Sequence, residues 1–271
     1  MIAFPPCKIN LGLTILRKRA DGYHDIETCF YPVPWTDILE IIKSGEFTFA
    51  ASGLPIPGDP SDNLCVRAFR MIEREFSIGP VAMHLHKIIP AGAGLGGGSS
   101  DAAHTLKLLN RIFELDLTDE RLEGYASQLG SDCSFFIRGK PAVGTERGNR
   151  LTPLEANPGD RHLIVVAPGI HIPTAAAYLD VHPYEASKSC ADIVSGLPLW
   201  QWKDHLKNDF EKSVVARYPE IGRIKELLYE AGAVYASMSG SGSAVFGIFD
   251  KATQTPAELG NYRSWCGPLS V

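Results

Sequence analysis

Hydrophobic and polar residues alternate with a period of two in several segments of the chain, and this pattern predicts strands. In residues 7–16 the polar side chains of Lys8, Asn10 and Thr14 share one face, and aliphatic side chains occupy the other. A polar strand face of this kind is more often solvated than functional. The other predicted strands cover residues 27–33, 37–43, part of 47–60, 81–89, 162–167, 234–238 and 243–249.

Apolar residues recur with a helical period in other segments, several of which begin at a residue that favours a helix N-terminus. The resulting mixture of strands and helices predicts an α+β protein. The predicted helices cover residues 63–75 with Ser61 as N-cap, the segment capped by Ser99 or Ser100, 119–129 between Thr118 and Gly130, a segment with Thr174 as N-cap, 191–195, 208–217 and 221–231.

A glycine-rich stretch, residues 90–101, lies between a predicted strand and a predicted helix and contains five glycines within seven residues. Glycine allows the backbone to approach a ligand closely and to adopt positive φ at little cost. The helix start that follows offers free N–H groups and the positive end of the helix dipole to an anion, with Asp101 expected in its first turn. This stretch therefore predicts a phosphate-binding loop.

Several known kinds of glycine-rich loop must be weighed against this one. Residues 92–97 satisfy the G-x-G-x-x-G spacing of dinucleotide-binding folds, but a helix follows where a second strand with an acidic end is expected. A Walker loop ends in lysine and Ser/Thr, whereas Gly98-Ser99-Ser100 stands here. The motifs that accompany a protein-kinase loop are absent in context. Because an apolar helix follows directly, a flexible linker is disfavoured.

Charge, hydropathy and cysteine spacing narrow the class of protein. The net charge of −5 implies no general attraction to nucleic acid or to acidic membranes, and no apolar run approaches the roughly 18 residues that span a bilayer. Residues 1–16 do not resemble a signal peptide. Six scattered cysteines without a Cys-x-x-Cys pair, and His84 and His86 without a third ligand nearby, predict no metal site and a cytoplasmic protein.

A phosphoryl transfer would require a cation for the developing charge and a group that accepts a proton. Lys8 on the first strand and Asp132 after the helix-ending Gly130 are the candidates. Taken singly, each is unremarkable, since an aspartate after a helix usually forms a turn.

Three motifs in this chain resemble those of the galactokinase, homoserine kinase, mevalonate kinase and phosphomevalonate kinase (GHMP) superfamily. They are residues 90–103, residues 6–11 around Lys8, and residues 239–247, and they occur in the order of the family. The resemblance implies a two-lobed α+β GHMP-kinase fold, with an N-terminal ribosomal-protein-S5-like domain over 1–155 that binds ATP. It also implies a C-terminal ferredoxin-like α/β domain over 156–271 that completes a substrate cleft.

Three further segments resemble the GHMP kinases that act on a cytidylyl substrate: residues 19–24, 130–136 and 208–211. They imply ATP-dependent phosphorylation of the 2-hydroxyl of cytidine-diphospho-methylerythritol in the non-mevalonate route to isoprenoid precursors. By this resemblance Asp132 is the catalytic general base, Lys8 its charge partner, and Asn10 lies beside the acceptor. His24 and Thr174 make polar contacts with the substrate, and Tyr23 and Tyr178 stack on the cytosine.

The resemblance also implies which residues bind ATP, with Mg²⁺ held mainly through the ATP phosphates and no metal ligand from the protein. We expect a monomer or weak homodimer, with no nucleic-acid or membrane partner. Another small-molecule kinase of the superfamily, of the homoserine or mevalonate type, and a catalytically silent nucleotide sensor remain the alternatives. The expected ATP-binding residues are Asn63, Leu64, Pro90, Ala91, Gly92, Ala93, Gly94, Leu95, Gly96, Gly97, Gly98, Ser99 and Ser100.

The chain departs from the family pattern at four positions. Cys7 stands where alanine is usual, and Ser131, Cys133 and Ser134 surround Asp132 in place of the more common Ala, Val and Pro. These small substitutions leave Lys8 and Asp132 in place, so we expect them to affect local packing and not the chemistry.

Overall fold

A computed structural model of the chain describes residues 1–155, 160–178, 181, 183 and 188–269. The described residues form a mixed α+β fold, as the sequence predicts. None of their helices is both long enough and apolar enough to cross a membrane. The predicted domain boundary after residue 155 adjoins residues 156–159, which lie outside the described part, and it stays a prediction.

The strands include all those predicted from the alternating pattern. β2 and β3 extend beyond the predicted ends, whereas β4, β6, β10 and β11 are one or two residues shorter than predicted. Short or irregular strands (β1, β7, β8 and β12) were not predicted, because they offer too few alternating positions. The strands are β1 Ile2–Ala3, β2 Pro6–Lys18, β3 His24–Thr36, β4 Ile38–Lys43, β5 Thr48–Gly53, β6 Val81–Lys87, β7 Ala142–Thr145, β8 Arg150–Pro153, β9 His162–Ala167, β10 Tyr235–Met238, β11 Val245–Phe249 and β12 Arg263–Pro268.

The predicted helices are also present, together with the single-turn helices α4 and α7. The helices are α1 Leu64–Phe76, α2 Gly97–Ile112, α3 Asp119–Leu129, α4 Phe135–Arg138, α5 Thr174–Ala177, α6 Cys190–Gly196, α7 Trp202–His205, α8 Glu211–Arg217 and α9 Pro219–Glu230.

Two predicted helix starts need correction. Asn63, not Ser61, caps α1, because its Oδ1 atom accepts a hydrogen bond from the backbone N–H of Cys65 at 2.9 Å. Ser61 instead lies in the short 3₁₀ turn Pro60–Asp62. Pro173, not Thr174, is the N-cap of α5, and Thr174 is the first helical residue.

The described residues form two compact units, and neither unit is continuous in sequence. The first contains Met1–Cys7, Pro34–Ala91 and Gly96–Lys140, and the second contains Lys8–Val33, Gly92–Leu95 and the described residues from Pro141 onward. Strands β2 and β3 belong mostly to the second unit because they share a sheet with β7 and β8.

In the first unit, helices cover a four-stranded sheet of order β1-β4-β6-β5. β4 pairs antiparallel with β6, whereas β5 runs parallel to β6. α2 packs against β4 and also against α1 and α3. Because β6 leads through the glycine-rich stretch into α2, this packing fixes both ends of that stretch.

A buried ionic cluster joins β6 to α2 inside the first unit. Lys87 Nζ donates to Asp101 Oδ2 at 2.8 Å and also to Asp37 Oδ2, and all three residues are at most 3% exposed. Asp37 Oδ1 accepts from the backbone N–H groups of Ile88 and Ile89. Asp101 Oδ1 has no hydrogen-bond partner among the described residues. One ammonium group thus faces two buried carboxyl groups.

We expect the stability of the protein to depend on pH, because one buried ammonium group faces two buried carboxyl groups. Burial raises the pKa of Asp101 from 3.8 to about 7, and the charge of Asp37 adds to the effect of burial. Between about pH 4 and pH 7 the unfolded chain has lost this proton while the folded chain keeps it, so the Asp101 contribution to stability falls as pH rises.

We expect the difference in unfolding free energy between the wild type and Asp101→Asn to fall across that window, with a slope of up to about 1.4 kcal/mol per pH unit. Urea denaturation at several pH values measures the difference. Asp204→Asn, at an exposed aspartate, should give no such slope. A difference that is independent of pH would contradict the prediction.

The second unit contains two four-stranded sheets, of orders β2-β3-β7-β8 and β10-β11-β9-β12. All pairs of the latter sheet are antiparallel. α9 packs against β10 and β11, and α8 packs against α9. Leu13 and Ile15 of β2 belong to the same buried cluster as Ile164 and Val166 of β9, which joins the two sheets through one core.

Candidate active site

The glycine-rich stretch has the backbone that its sequence predicts. Gly92, Gly94 and Gly96 have φ values of 68°, 77° and 70°, which side-chain-bearing residues rarely adopt. Gly96 is the N-cap of α2, and its carbonyl accepts from Ser100 N at 2.9 Å. The prediction that Ser99 or Ser100 caps this helix is therefore wrong, as is the placement of Asp101 in its first turn, because the helix begins at Gly97.

Gly94 also meets its neighbours too closely to carry a side chain. A Cβ atom at this position would lie 2.0 Å from the carbonyl oxygen of Ser239. We call the glycine-rich stretch the first glycine-rich loop and residues 239–242 the second glycine-rich loop. The close approach of Gly94 to Ser239 joins the two loops within the second unit.

Gly94→Ala should therefore shift one of the two loops, and we expect kcat/KM for ATP to fall by roughly tenfold to a hundredfold. Steady-state kinetics with varied ATP tests this. Gly124→Ala is the matched control, since Gly124 lies inside α3 with open space where its Cβ would be. Equal kinetics for the two variants would contradict the prediction.

Lys8 is buried in β2 and bonded to the first glycine-rich loop. Its Nζ atom donates to Gly94 O at 3.0 Å and to Asn10 Oδ1 at 2.6 Å, and its backbone N–H donates to Leu95 O at 2.9 Å. Lys8 and Asn10 are each only 2% exposed. The expectation of a solvated strand face is wrong, because loop residues cover it.

The second glycine-rich loop completes this arrangement. Ser239 Oγ donates to Gly94 O at 2.9 Å and accepts from Asn10 N at 3.2 Å. The backbone N–H of Ala244, just after this loop, donates to Ala93 O at 3.0 Å. Residues from all three motifs are therefore hydrogen-bonded to one another within the second unit.

The residues expected to bind the cytidylyl substrate lie in the second unit. His24 and Tyr178 contact each other, whereas Tyr23 and Thr174 contact other residues. The rings of His24 and Tyr178 are stacked, with centroids 4.6 Å apart, and burial lowers the pKa of His24. Tyr23 is 52% exposed, and the guanidinium of Arg147 lies 3.6 Å from its ring centroid. Thr174 Oγ1 lies 3.3 Å from Ser241 Oγ, which connects it to the second glycine-rich loop.

Asp132 lies in the first unit, in a turn between α3 and α4. Thr118 caps α3 and Gly130 ends it, as predicted. The backbone N–H of Cys133 then donates to Gly130 O at 3.2 Å and closes the turn around the half-buried Asp132. Two helices thus fix the backbone position of this carboxyl group.

The sequence matches the GHMP kinases N terminal domain over residues 63–140 and the GHMP kinases C terminal domain over residues 201–260. It is 48% identical to 4-diphosphocytidyl-2-C-methyl-D-erythritol kinase of Cytophaga hutchinsonii over 271 residues, which cover 99% of this chain and 100% of that protein. The chain belongs to the 4-diphosphocytidyl-2-C-methyl-D-erythritol kinase family of GHMP kinases.

Other relatives agree with this family. The kinase of the same name from Bacteroides thetaiotaomicron is 47% identical, over 94% of each chain. A crystal structure of 4-(cytidine 5'-diphospho)-2C-methyl-D-erythritol kinase superposes with a TM-score of 0.81 at 29% identity, covering 99% of this chain and 98% of that one. Mevalonate kinase of Methanococcus jannaschii shares the fold, with a TM-score of 0.72 at 15% identity over 99% and 98% of the chains.

The departures of this GHMP kinase from its family pattern fit the packing around them. Cys7 and Cys133 are fully buried, and burial raises the pKa of the Cys133 thiol to about 11. Ser134 Oγ donates to the carbonyl oxygen of Glu123 at 3.1 Å, which gives this buried hydroxyl a partner inside the first unit.

The first unit of this GHMP kinase also contains a cavity of about 260 Å³. It is lined by Asn63 and by a proline-rich segment before it, and Leu64 begins α1 directly after Asn63. Pro90 and Ala91, and Gly97, Gly98, Ser99 and Ser100 in the first turn of α2, lie in the same unit. The cavity is lined by residues 49, 51–60, 62 and 63.

The sequence analysis missed two residues that contact predicted site residues of the GHMP kinase. Arg147, in the turn between β7 and β8, carried no motif that would connect it with Tyr23. Ser239 lay in a recognised glycine-rich motif but was not assigned to the site. Among the described residues, no group of three or more His, Cys, Asp or Glu side chains could hold a metal ion.

Proposed function

We propose that this kinase transfers the γ-phosphoryl group of ATP to the 2-hydroxyl of 4-diphosphocytidyl-2-C-methyl-D-erythritol in the non-mevalonate route to isoprenoid precursors. The single observation that supports phosphoryl transfer best is Lys8 Nζ, buried and hydrogen-bonded to Gly94 O and Asn10 Oδ1. An ammonium group held at a glycine-rich loop suits an anionic ligand and the charge that develops during transfer.

The donor nucleotide binds along the glycine-rich stretch in this proposal. The N-terminal N–H groups of α2, from Gly97 to Ser99, have no acceptors within the helix and can bind phosphate oxygens. The hydroxyls of Ser99 and Ser100 are further donors. Adenine occupies the cavity beside Asn63 and Leu64, where the surrounding prolines provide apolar surface.

Asp132 is the general base in this proposal. Its carboxylate takes the proton of the 2-hydroxyl as that oxygen attacks the γ-phosphorus and ADP leaves, a role typically worth about 10²–10⁴ in rate. Lys8, the charge partner of Asp132 in this proposal, stabilises the negative charge of the transferring group. Asn10, whose Nδ2 donates to Thr28 Oγ1 at 2.9 Å, is held beside the acceptor hydroxyl.

The cytidine end of the acceptor binds to the aromatic residues of the second unit. His24 donates or accepts a hydrogen bond at the cytosine edge, and burial keeps its imidazole neutral near pH 7 because its pKa is lowered. Tyr23 and Tyr178 offer ring faces to the base. Thr174 supplies a polar contact.

The donor set of the glycine-rich stretch fits ATP with its bound cation. Amide N–H groups and serine hydroxyls bind phosphate oxygens, so we propose that Mg²⁺ is bound by the ATP phosphates and not by protein carboxylates. When bound with ATP, Mg²⁺ neutralises charge on the β- and γ-phosphates. We also propose a monomer or weak homodimer that acts in the cytoplasm, where the six free thiols are kept reduced.

A coupled assay of ADP release with three acceptors tests the function. We expect turnover with the cytidylyl acceptor and little with homoserine or mevalonate. Faster turnover with homoserine or mevalonate would assign the chain to another GHMP activity. ATP binding without ADP release for any of the three would instead support a nucleotide sensor.

A further inference from the structure

Residues 208–211, Asn-Asp-Phe-Glu, comprise a turn after α7 and the first residue of α8, and the proposed function assigns them no role. We call this segment the 208–211 turn. Asn208 and Phe210 are 3% and 2% exposed. A buried polar residue in a turn requires hydrogen-bond partners, so the partners of this turn indicate what it holds in place.

The 208–211 turn bonds first to β2, the strand that carries Lys8 and Asn10. Leu13 N donates to Lys207 O, and Asp209 N donates to Leu13 O, both at 2.9 Å. Asp209 Oδ2 accepts from Ile15 N at 2.7 Å. β2 is the edge strand of its sheet, and the turn pairs with part of that edge.

The side chain of Asn208 then reaches the second glycine-rich loop. Its Nδ2 group donates to Met238 O and Gly240 O, each at 2.8 Å, and its Oδ1 atom accepts from Phe210 N at 3.0 Å. One N–H group of the amide therefore bonds the loop and the other bonds the last residue of β10 before it, and the oxygen fixes the orientation of the amide.

Glu211 holds the strand that leads into the same loop. Its Oε1 atom accepts from Met238 N at 2.7 Å and from Ser237 Oγ at 3.0 Å, and its Oε2 atom lies 2.6 Å from Lys225 Nζ. Asn208 and Glu211 together determine where residues 237–240 lie relative to β2.

Phe210 connects the turn to the aromatic residues. Its ring meets that of Tyr178 edge-on, with centroids 4.8 Å apart and planes at 89°, and Tyr178 in turn stacks on His24. Such edge-to-face contacts restrict the orientation of both rings.

We infer that the 208–211 turn is a positioning segment: Asn208 sets the second glycine-rich loop against Lys8 and Asn10, and Phe210 sets the Tyr178–His24 pair. The inference rests on the proposed function for the meaning of those sites. Ser239 is the link, because it lies between the two carbonyls that Asn208 binds and its hydroxyl bonds Gly94 O. A shift of the loop would move Ser239 relative to Lys8, which bonds the same carbonyl.

The test compares Asn208→Ala with Asn110→Ala. Asn110 also bonds main-chain groups through both ends of its amide, at Leu117, and it lies in α2 outside the proposed machinery. We expect both variants to lower Tm by similar amounts. Only Asn208→Ala should lower kcat, by about tenfold or more, since small misplacements at a reacting centre are costly. Asn208→Ser keeps one donor and replaces Asn208→Ala if that variant does not fold.

Hydrogen–deuterium exchange of the peptide that covers residues 239–242 gives a readout that does not depend on turnover. Exchange should be faster in the Asn208 variant and unchanged in Asn110→Ala. Phe210→Leu should raise KM for the acceptor severalfold and leave KM for ATP unchanged.

Unchanged exchange and unchanged kcat in the Asn208 variant would overturn the inference, as would equal effects of Phe210→Leu on both KM values. The proposed function fails on a separate result, namely a wild type that does not use the cytidylyl acceptor. In that case the variants are compared on the acceptor that the wild type does use, or by exchange alone.

Discussion

Asp132→Asn is expected to lower kcat by about 10²–10⁴-fold, because an amide cannot accept the proton of the acceptor hydroxyl. The substitution keeps the size of the side chain, and the turn that carries it is closed by a backbone hydrogen bond from Cys133 N to Gly130 O, so the fold should persist. The affinity for ATP should stay near that of the wild type, since the glycine-rich stretch is untouched. Single-turnover kinetics and ATP titration measure the two quantities.

Asp116→Asn provides the matched control for this substitution. Asp116 is an exposed aspartate in the same unit with a φ of 50°, a conformation that asparagine also tolerates. The control should retain wild-type kcat. A similar kcat in the two variants would refute the assignment of Asp132 as the base, and a parallel loss of ATP affinity would point to a structural effect instead.

Lys87→Met is expected to cause the largest loss of stability, about 3–5 kcal/mol, because it removes the ammonium group that compensates two buried carboxyl groups. The charges of Asp101 and Asp37 outweigh burial and raise the pKa of Lys87, so it stays charged across the usual pH range. Without it, Asp37 and Asp101 face each other with no cation among the groups they bond. Urea denaturation followed by circular dichroism measures the loss.

Lys107→Met is the control for the lysine substitution. Lys107 lies in α2, the helix that carries Asp101, and its Nζ atom donates to the carbonyl oxygen of Ile137 at 3.1 Å. Its loss leaves no buried carboxylate uncompensated at that bond, so the destabilisation should be much smaller. Equal losses for both variants would show that the charge balance at Lys87 is not what stabilises the cluster.

The sequence pattern was sufficient to predict most helices and strands and to locate the motifs. It was not sufficient to predict which distant segments bury the polar residues of those motifs. Alternation placed Lys8 and Asn10 on one face of β2, yet it carried no information about the loop that buries them from 86 positions further along the chain. Lys87 likewise stood on the apolar face of its strand, which gave no sign of the partners at Asp37 and Asp101. Periodicity assigns a face, whereas burial depends on contacts between distant segments.

Several predicted helix N-caps were wrong for a local reason. Ser61, Ser99, Ser100 and Thr174 all have side chains that can cap a helix, but the backbone begins each helix elsewhere. At α2 the helix begins after Gly96, because its positive φ turns the chain directly from the loop into the helix. The contacts of Tyr23 with Arg147 and of Tyr178 with Phe210 were not predicted, because nothing in the sequence pattern relates these distant positions to one another.

The carbonyl groups of the first glycine-rich loop are hydrogen-bonded within the protein. The carbonyl oxygens of Ala93, Gly94 and Leu95 all accept hydrogen bonds from groups of the protein, and Gly94 O accepts two. The electron-rich ends of three successive peptide groups are therefore occupied within the second unit. An approaching phosphate is spared their repulsion, whereas a bare cation would find few oxygen lone pairs to replace its water. In the proposed function the loop therefore favours an anion over a cation, and the side chains of Lys8 and Ser239 contribute to this preference by occupying Gly94 O.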